Sequence, residues 1–313
     1  MRILVVGAGA IGGYFGGRLL EAKRDVTFLV RPRRAAQLAT AGLSIRSPRG
    51  DVDLPAPPTI LTEGIAKPFD LVLLSCKAYD LEGAITSFAP SVGPETAILP
   101  LLNGLRHMEV LTERFGGARV LGGECLISVA LDPDSRIVHV GTADSLTFGE
   151  QDGSRSARAT AIESVFSGAR FEARFSESIL HEMWEKWVSI STFAGATCLM
   201  RAAVGDIVAA GAADLVATLL EECAAIAAHE GFTLRPAARE QTLAMFTQPG
   251  STLKASMLWD IERHAPVEAD HIIGDLLRRG GVAVRSPVLR IAYAHLKAYE
   301  ARRAREAKTG ATG

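Results

Sequence analysis

The 313 residues carry 34 Lys and Arg against 35 Asp and Glu, a formal net charge of -1, and 48% of them are hydrophobic. A chain this close to neutral has no general attraction for nucleic acid or an anionic membrane surface, and no apolar run is long enough, and free enough of glycine and charge, to span a bilayer. Its length suits two domains, each able to bury a core.

The first predicted strand, Arg2–Val6, runs directly into Gly7-Ala-Gly9-Ala-Ile-Gly12, and an apolar helical run over residues 11–20 follows. In G-x-G-x-x-G the glycines differ in what they permit. Gly7 allows the tight turn, Gly9 lets backbone approach a pyrophosphate, and Gly12 lets the helix pack on the strand. The exposed N–H groups of Ala10, Ile11 and Gly12 at the helix start would then hold phosphate charge. This predicts a dinucleotide site. Glycines at 7, 9, 12, 13, 16 and 17 also break the stretch that a signal peptide would need to be continuous.

A second strand over residues 26–30 ends at Arg31, with Arg33 and Arg34 close behind and no acid at the position that reads an NAD ribose. A guanidinium can fork onto a 2′-phosphate that a carboxylate would repel, so the expected cofactor is NADP(H), held through Arg31.

A helix is predicted over residues 32–41, a hairpin over 43–54 turning at 48–51, a strand over 70–75, a helix over 81–88 and a strand over 96–102. Shorter strands are predicted at 119–121, 125–131, 136–140, 145–148 and 170–175. The pattern is α/β, a Rossmann-type doubly wound sheet with an antiparallel extension. From about residue 178 every segment shows helical spacing, with helices expected at 178–199, 214–230, 236–247, 251–263, 267–279 and 287–305. The expected division is an NADP-binding domain over 1–177 and an all-helical substrate and catalytic domain over 178–313. The tail over 301–313 is expected to fray.

Ligands in open α/β sheets sit beyond the carboxyl ends of the strands, which singles out Lys77 and Asn103-Gly104. In the helical half, Lys186 shares a stripe with Ile179, Ile190, Phe193 and Thr197. Such a lysine either snorkels to water or lines a cleft, where it can give a proton to a developing alkoxide. Ser256 and Glu268 offer a hydroxyl and a carboxylate. His264, Glu268 and His271 suggest a metal, but Pro266 is expected to open a new helix and so break the register between His264 and Glu268, which keeps the three from meeting on one helix face; no metal site is expected. Cys76, Cys125, Cys198 and Cys223 are widely spaced with no C-x-x-C, which leaves out a redox motif and fits a reducing cytoplasm.

These stretches, with Trp184-Glu-Lys186, Ser256-Met-Leu-Trp-Asp260 and Glu268 through Gly274, resemble the ketopantoate reductase (2-dehydropantoate 2-reductase) family over essentially the whole chain. The resemblance implies NADPH-dependent reduction of a small 2-keto acid, bound in an interdomain cleft, to the 2-hydroxy acid. By position, Lys186 would be the general acid. Glu268 would bind the substrate's hydroxyl and act on Lys186, Ser256 would bind the carboxylate, Asn103 would position nicotinamide and substrate, and Lys77 would lie beside the cofactor.

Family members that make pantoate carry four asparagines where this chain has Ile190, Ala194, Val204 and Leu253. A site without partners for a substrate hydroxyl cannot reward that hydroxyl. Ketopantoate therefore stands beside a more apolar 2-keto acid, a β-hydroxyacid or opine-type substrate, and, in another class, a catalytically inactive NADP(H)-binding sensor. The helical half offers surfaces for self-association, so a homodimer is left open.

Overall fold

The computed structural model describes residues 1–310. The chain forms two compact units, Met1–Leu102 with His107–Leu180, and Asn103–Arg106 with His181–Gly313.

In chain order the first unit contains β1 (Arg2–Val6), α1 (Ala10–Glu21), β2 (Asp25–Leu29), α2 (Pro32–Ala41), β3 (Leu43–Arg46), β4 (Val52–Leu54), β5 (Thr59–Ile60), β6 (Leu71–Leu74), α3 (Leu81–Phe88) and β7 (Ala97–Pro100). After these come α4 (Arg106–Phe115), β8 (Gly122–Leu131), β9 (Ile137–Gly149), α5 (Ala157–Phe166) and β10 (Glu172–Phe175). A five-stranded parallel sheet has the order β5-β2-β1-β6-β7. Ile3, Leu4 and Val5 of β1 and all of β6 are fully buried, which is why these strands read as unbroken apolar runs and not as alternation. Pro100 is tolerated because β7 ends the sheet, where a missing N–H breaks no central ladder.

The expected antiparallel extension is instead a second sheet, β10-β9-β3-β4 with β8 along β9. α1 reaches both sheets because one face is glycine: a Cβ on Gly16 would lie 2.6 Å from Phe28 of the first sheet, and one on Gly17 2.7 Å from Ile45 of the second. The segments 136–140 and 145–148 belong to one continuous strand, β9, and 119–121 shrinks to a single bridge from Val120 to Ile98. The sequence reading missed α4, with His107, Met108 and Leu111 on its buried face, and α5, which Ser156 caps by accepting from the Ala159 N–H.

The second unit is helical: α6 (Ile179–Met200), α7 (Val204–Ala209), α8 (Ala213–His229), α9 (Pro236–Phe246), α10 (Ser256–Glu262), α11 (Asp275–Gly280) and α12 (Pro287–Gly310). Three expectations change here. Residues 251–255 are not helical; the helix expected over 267–279 has no helical turn at Pro266, Val267 or Glu268 and opens on a π-helical turn, Asp270–Gly274. The predicted fraying begins too early, since α12 runs through Gly310, and residues 311–313 lie outside the described residues.

Candidate active site

The chain leaves β1 and crosses to β2 on one side, while β6 and β7 lie on the other, so the sheet's connections reverse between β1 and β6. Such a switch point opens a crevice at the strands' carboxyl ends, and Gly7, Arg31 and Lys77 follow β1, β2 and β6 there. Gly7 turns the chain at φ +93°, a conformation that favours glycine. Gly12 is forced by contact: a Cβ would lie 2.2 Å from Ser75 Oγ and 2.3 Å from the Gly7 carbonyl oxygen. The Ser75 hydroxyl donates to the Val6 carbonyl at 3.1 Å, which holds the end of β6 to the end of β1. Gly9 has open space on its side-chain face, and α1 has neither a side-chain cap nor an acid in its first turn. These residues fit a dinucleotide: room at Gly9, close packing at Gly12, and N–H groups of Ala10, Ile11 and Gly12 with no acid in the helix's own first turn to screen them.

Arg31 is exposed and pairs with Asp80, Nη2 to Oδ1 at 2.8 Å, an interaction that raises the guanidinium pKa above its ordinary value. Lys77 is half-buried and starts the short turn that carries Asp80, whose N–H donates to the Lys77 carbonyl at 2.9 Å. Arg34, grouped with Arg31 in the sequence, does other work. Its Nε and Nη2 donate to the Ala8 carbonyl at 3.1 and 2.8 Å, bracing the glycine turn from beneath, and burial lowers its pKa.

In the helical unit, Lys186 is half-buried on α6, one residue before Trp187, which is fully buried. Trp187 Nε1 donates to the Ile272 carbonyl at 2.8 Å and Ser191 Oγ to the same oxygen at 3.2 Å. The helix bearing Lys186 is thereby fixed to the π-helical turn that follows Glu268. Glu268 is 8% exposed, and its carbonyl accepts from the Ile272 N–H at 2.9 Å. Asn103, half-buried, belongs to this unit as well, with its backbone hydrogen-bonded to His271. The sequence reading broke the register between His264 and Glu268 on the premise of a new helix at Pro266; no helical turn opens there, and His264 is exposed while the charge of Glu268 acts on His271. Asp80, Trp187 and His271 were missed as site-supporting residues, because nothing in local spacing reports a partner some 50 to 170 residues away.

Ser256 opens α10, is exposed, and makes no described hydrogen bond to Lys186, Asn103 or Glu268. Upstream of it the extended segment docks on α7: the Val204 N–H donates to the Leu253 carbonyl at 3.0 Å and the Gly205 N–H to the Ser251 carbonyl at 2.7 Å. Val204 and Leu253, two apolar residues at expected amide positions, are therefore neighbours. Ala194 is buried on α6, and Phe193 stacks on Phe246 at 4.4 Å with rings 2° from parallel.

Known proteins resemble this chain over most of its length. The family model "Ketopantoate reductase PanE/ApbA" matches residues 3–153, and its C-terminal counterpart matches 178–300. An uncharacterized oxidoreductase, YkpB, of Bacillus subtilis is 40% identical over 303 residues, covering 96% of this chain and 99% of that one. A 2-dehydropantoate 2-reductase of Mesorhizobium japonicum is 27% identical, covering 90% and 91%. The crystal structure of 2-dehydropantoate 2-reductase from Geobacter metallireducens superimposes with a TM-score of 0.86 at 29% identity, covering 95% of this chain and 99% of that one. With both halves matched in the order in which the sheet and the helices follow one another, the chain belongs to the PanE/ApbA ketopantoate reductase family.

Proposed function

We propose that the protein is an NADPH-dependent reductase of a 2-keto acid, with 2-dehydropantoate (ketopantoate) as the first candidate substrate. The observation that carries this is the bond from Trp187 to the Ile272 carbonyl, which fixes the helix of Lys186 to the turn of Glu268. Reduction of a ketone builds negative charge on oxygen, and an ammonium beside it is worth most when held in place beforehand.

A dinucleotide held by its pyrophosphate at the glycine turn would supply, from its reduced nicotinamide, the hydride that the carbonyl carbon needs. The protein's residues do the rest. Backbone N–H groups of Ala10, Ile11 and Gly12 take the pyrophosphate, Gly7 and Gly9 shape its approach, Arg31 forks onto the 2′-phosphate, and Lys77 adds positive charge at the neighbouring strand end. Lys186 gives its proton to the carbonyl oxygen and regains one from solvent. Glu268 accepts a hydrogen bond from the substrate's hydroxyl, Ser256 donates to its carboxylate, and Asn103 orients the reacting group.

Apolar Ile190, Ala194, Val204 and Leu253 at the four expected amide positions favour a second reading within the same chemistry, a 2-keto acid with an apolar side chain. Mixing the protein with NADPH and a panel of 2-keto acids, ketopantoate included, and following nicotinamide absorbance tests both. Turnover of ketopantoate ahead of the apolar acids supports the first; the reverse order supports the second. NADPH binding with no turnover of any of them would leave a nucleotide-binding sensor.

A further inference from the structure

We infer that His271 is a positioning residue, holding the Asn103-Gly104 turn in the conformation from which Asn103 acts. Gly104 is buried with φ +76°, and its open side is closed by His271 alone among the nearest atoms: a Cβ there would lie 3.0 Å from the His271 carbonyl oxygen, 3.1 Å from Cδ2 and 3.3 Å from Nε2. The same imidazole is hydrogen-bonded to the Asn103 backbone in the sense that favours a protonated ring nitrogen, so the ring N–H donates and the Asn103 carbonyl accepts. One side chain thus satisfies the turn's backbone and fills the space beside it. A buried carbonyl left without a donor is costly, so the turn and the ring hold each other.

The ring is itself fixed. His271 is 7% exposed, and the next residue's carbonyl is clamped by Trp187 and Ser191, both fully buried. Glu268, Asp275 and Arg106 face it with opposing charges, and burial dominates, keeping its pKa below the ordinary value and the ring neutral near pH 7. A neutral imidazole has a single N–H. That donor is spent on Asn103, which leaves His271 a support for the group that meets the substrate and not a proton carrier. The catalytic consequence rests on the reductase reading; the contact itself does not.

The test compares His271→Phe, which keeps a ring and loses the donor, with His271→Gln, which keeps an N–H at about the reach of Nε2. Amide hydrogen exchange over residues 102–106, kcat and the NADPH dissociation constant are measured on the full chain. The expected result for His271→Phe is faster exchange confined to that segment and kcat lower by about 10- to 100-fold, the scale of a small misplacement at a reacting centre. NADPH binding should hold, and His271→Gln should recover most of both losses. If His271→Phe does not fold, His271→Leu takes its place. Wild-type exchange in the donorless variant, an unchanged kcat beside altered exchange, or a Gln variant no better than Phe overturns the inference. A wild-type protein that reduces no 2-keto acid overturns the reductase reading instead, and the exchange measurement still decides the bond to Asn103.

Discussion

Asp80 Oδ1 lies 2.8 Å from Arg31 Nη2, so the guanidinium proposed to take a ribose 2′-phosphate already has an anion beside it. The Arg31 side chain is 78% exposed, and a pair this wet is worth roughly 0.2–1 kcal/mol. A phosphate dianion with a bidentate fork competes well against it. Asp80→Ala should therefore tighten NADPH by up to about fivefold, the same energy expressed as affinity, and leave NADH unchanged. Arg31→Ala should weaken NADPH by about tenfold or more, with little effect on NADH. Fluorescence titration of both nucleotides checks this, and equal effects on the two would remove Arg31 from phosphate recognition.

Lys186→Ala should lower kcat by about 10²- to 10⁴-fold, the usual contribution of a positioned proton donor, with NADPH affinity nearly intact. Steady-state kinetics beside a binding titration separates the two quantities. A rate equal to wild type would take the lysine out of the mechanism.

Acid should destabilise the fold in two stages. Burial holds the His271 pKa below its ordinary value against the pull of Glu268, Asp275 and the Asn103 carbonyl, with Arg106 adding to the depression, and burial lowers His295 as well. The unfolded chain then binds more protons than the folded one below about pH 6.5, so stability is full above that value and falls as pH drops. Glu150, Glu185 and Asp270, whose pKa values are depressed by Arg158, Arg235 and Lys297 despite burial, add a second loss below about pH 4.5. Urea midpoints between pH 8 and pH 5, about the first window, should fall on acidification, and less steeply in His271→Gln. A slope shared by both proteins would clear His271 of that role.

Glu222 is 7% exposed and accepts from the Val288 and Leu289 N–H groups at 3.1 and 2.8 Å, closing the first turn of α12. A carboxylate there meets both unpaired donors and the positive end of the helix. Glu222→Ala should cost about 1–3 kcal/mol, read as a lower denaturation midpoint. An unchanged midpoint would mean that water serves those donors equally well.

The sheet was legible because its strands advertise themselves: Leu71–Leu74 and Ala97–Pro100 are short apolar runs bounded by polar turns, and Gly7, Gly9 and Gly12 sit where a strand meets a helix. The division of the β structure into two sheets was not, since β3 pairs in parallel with β9 some 90 residues later and nothing local encodes that partnership. α4 was hidden behind Asn103-Gly104, a turn signal that falls just ahead of its start at Arg106. In the helical unit, periodicity located α6, α8, α9 and α12. It failed at Ser251–Ala255, where polar and apolar residues happen to fall at helical spacing while the backbone is committed to Val204 and Gly205. Lys186 and Glu268 were proposed from the chain; the side chains that hold their surroundings, Trp187, Ser191 and His271, act across distances that spacing does not report.

A π-helical turn holds one residue more than an α-helical turn. Counting in steps of 3.6 from Leu276 back toward Glu268 therefore slips by a register unit at Asp270–Gly274, and the two stretches face directions that a helical wheel drawn through both would misassign. Removing one residue from that loop of backbone would let the helix close to regular pitch, and in doing so would swing everything upstream by about 100° around the axis. The glutamate would leave its present face by just over a quarter turn.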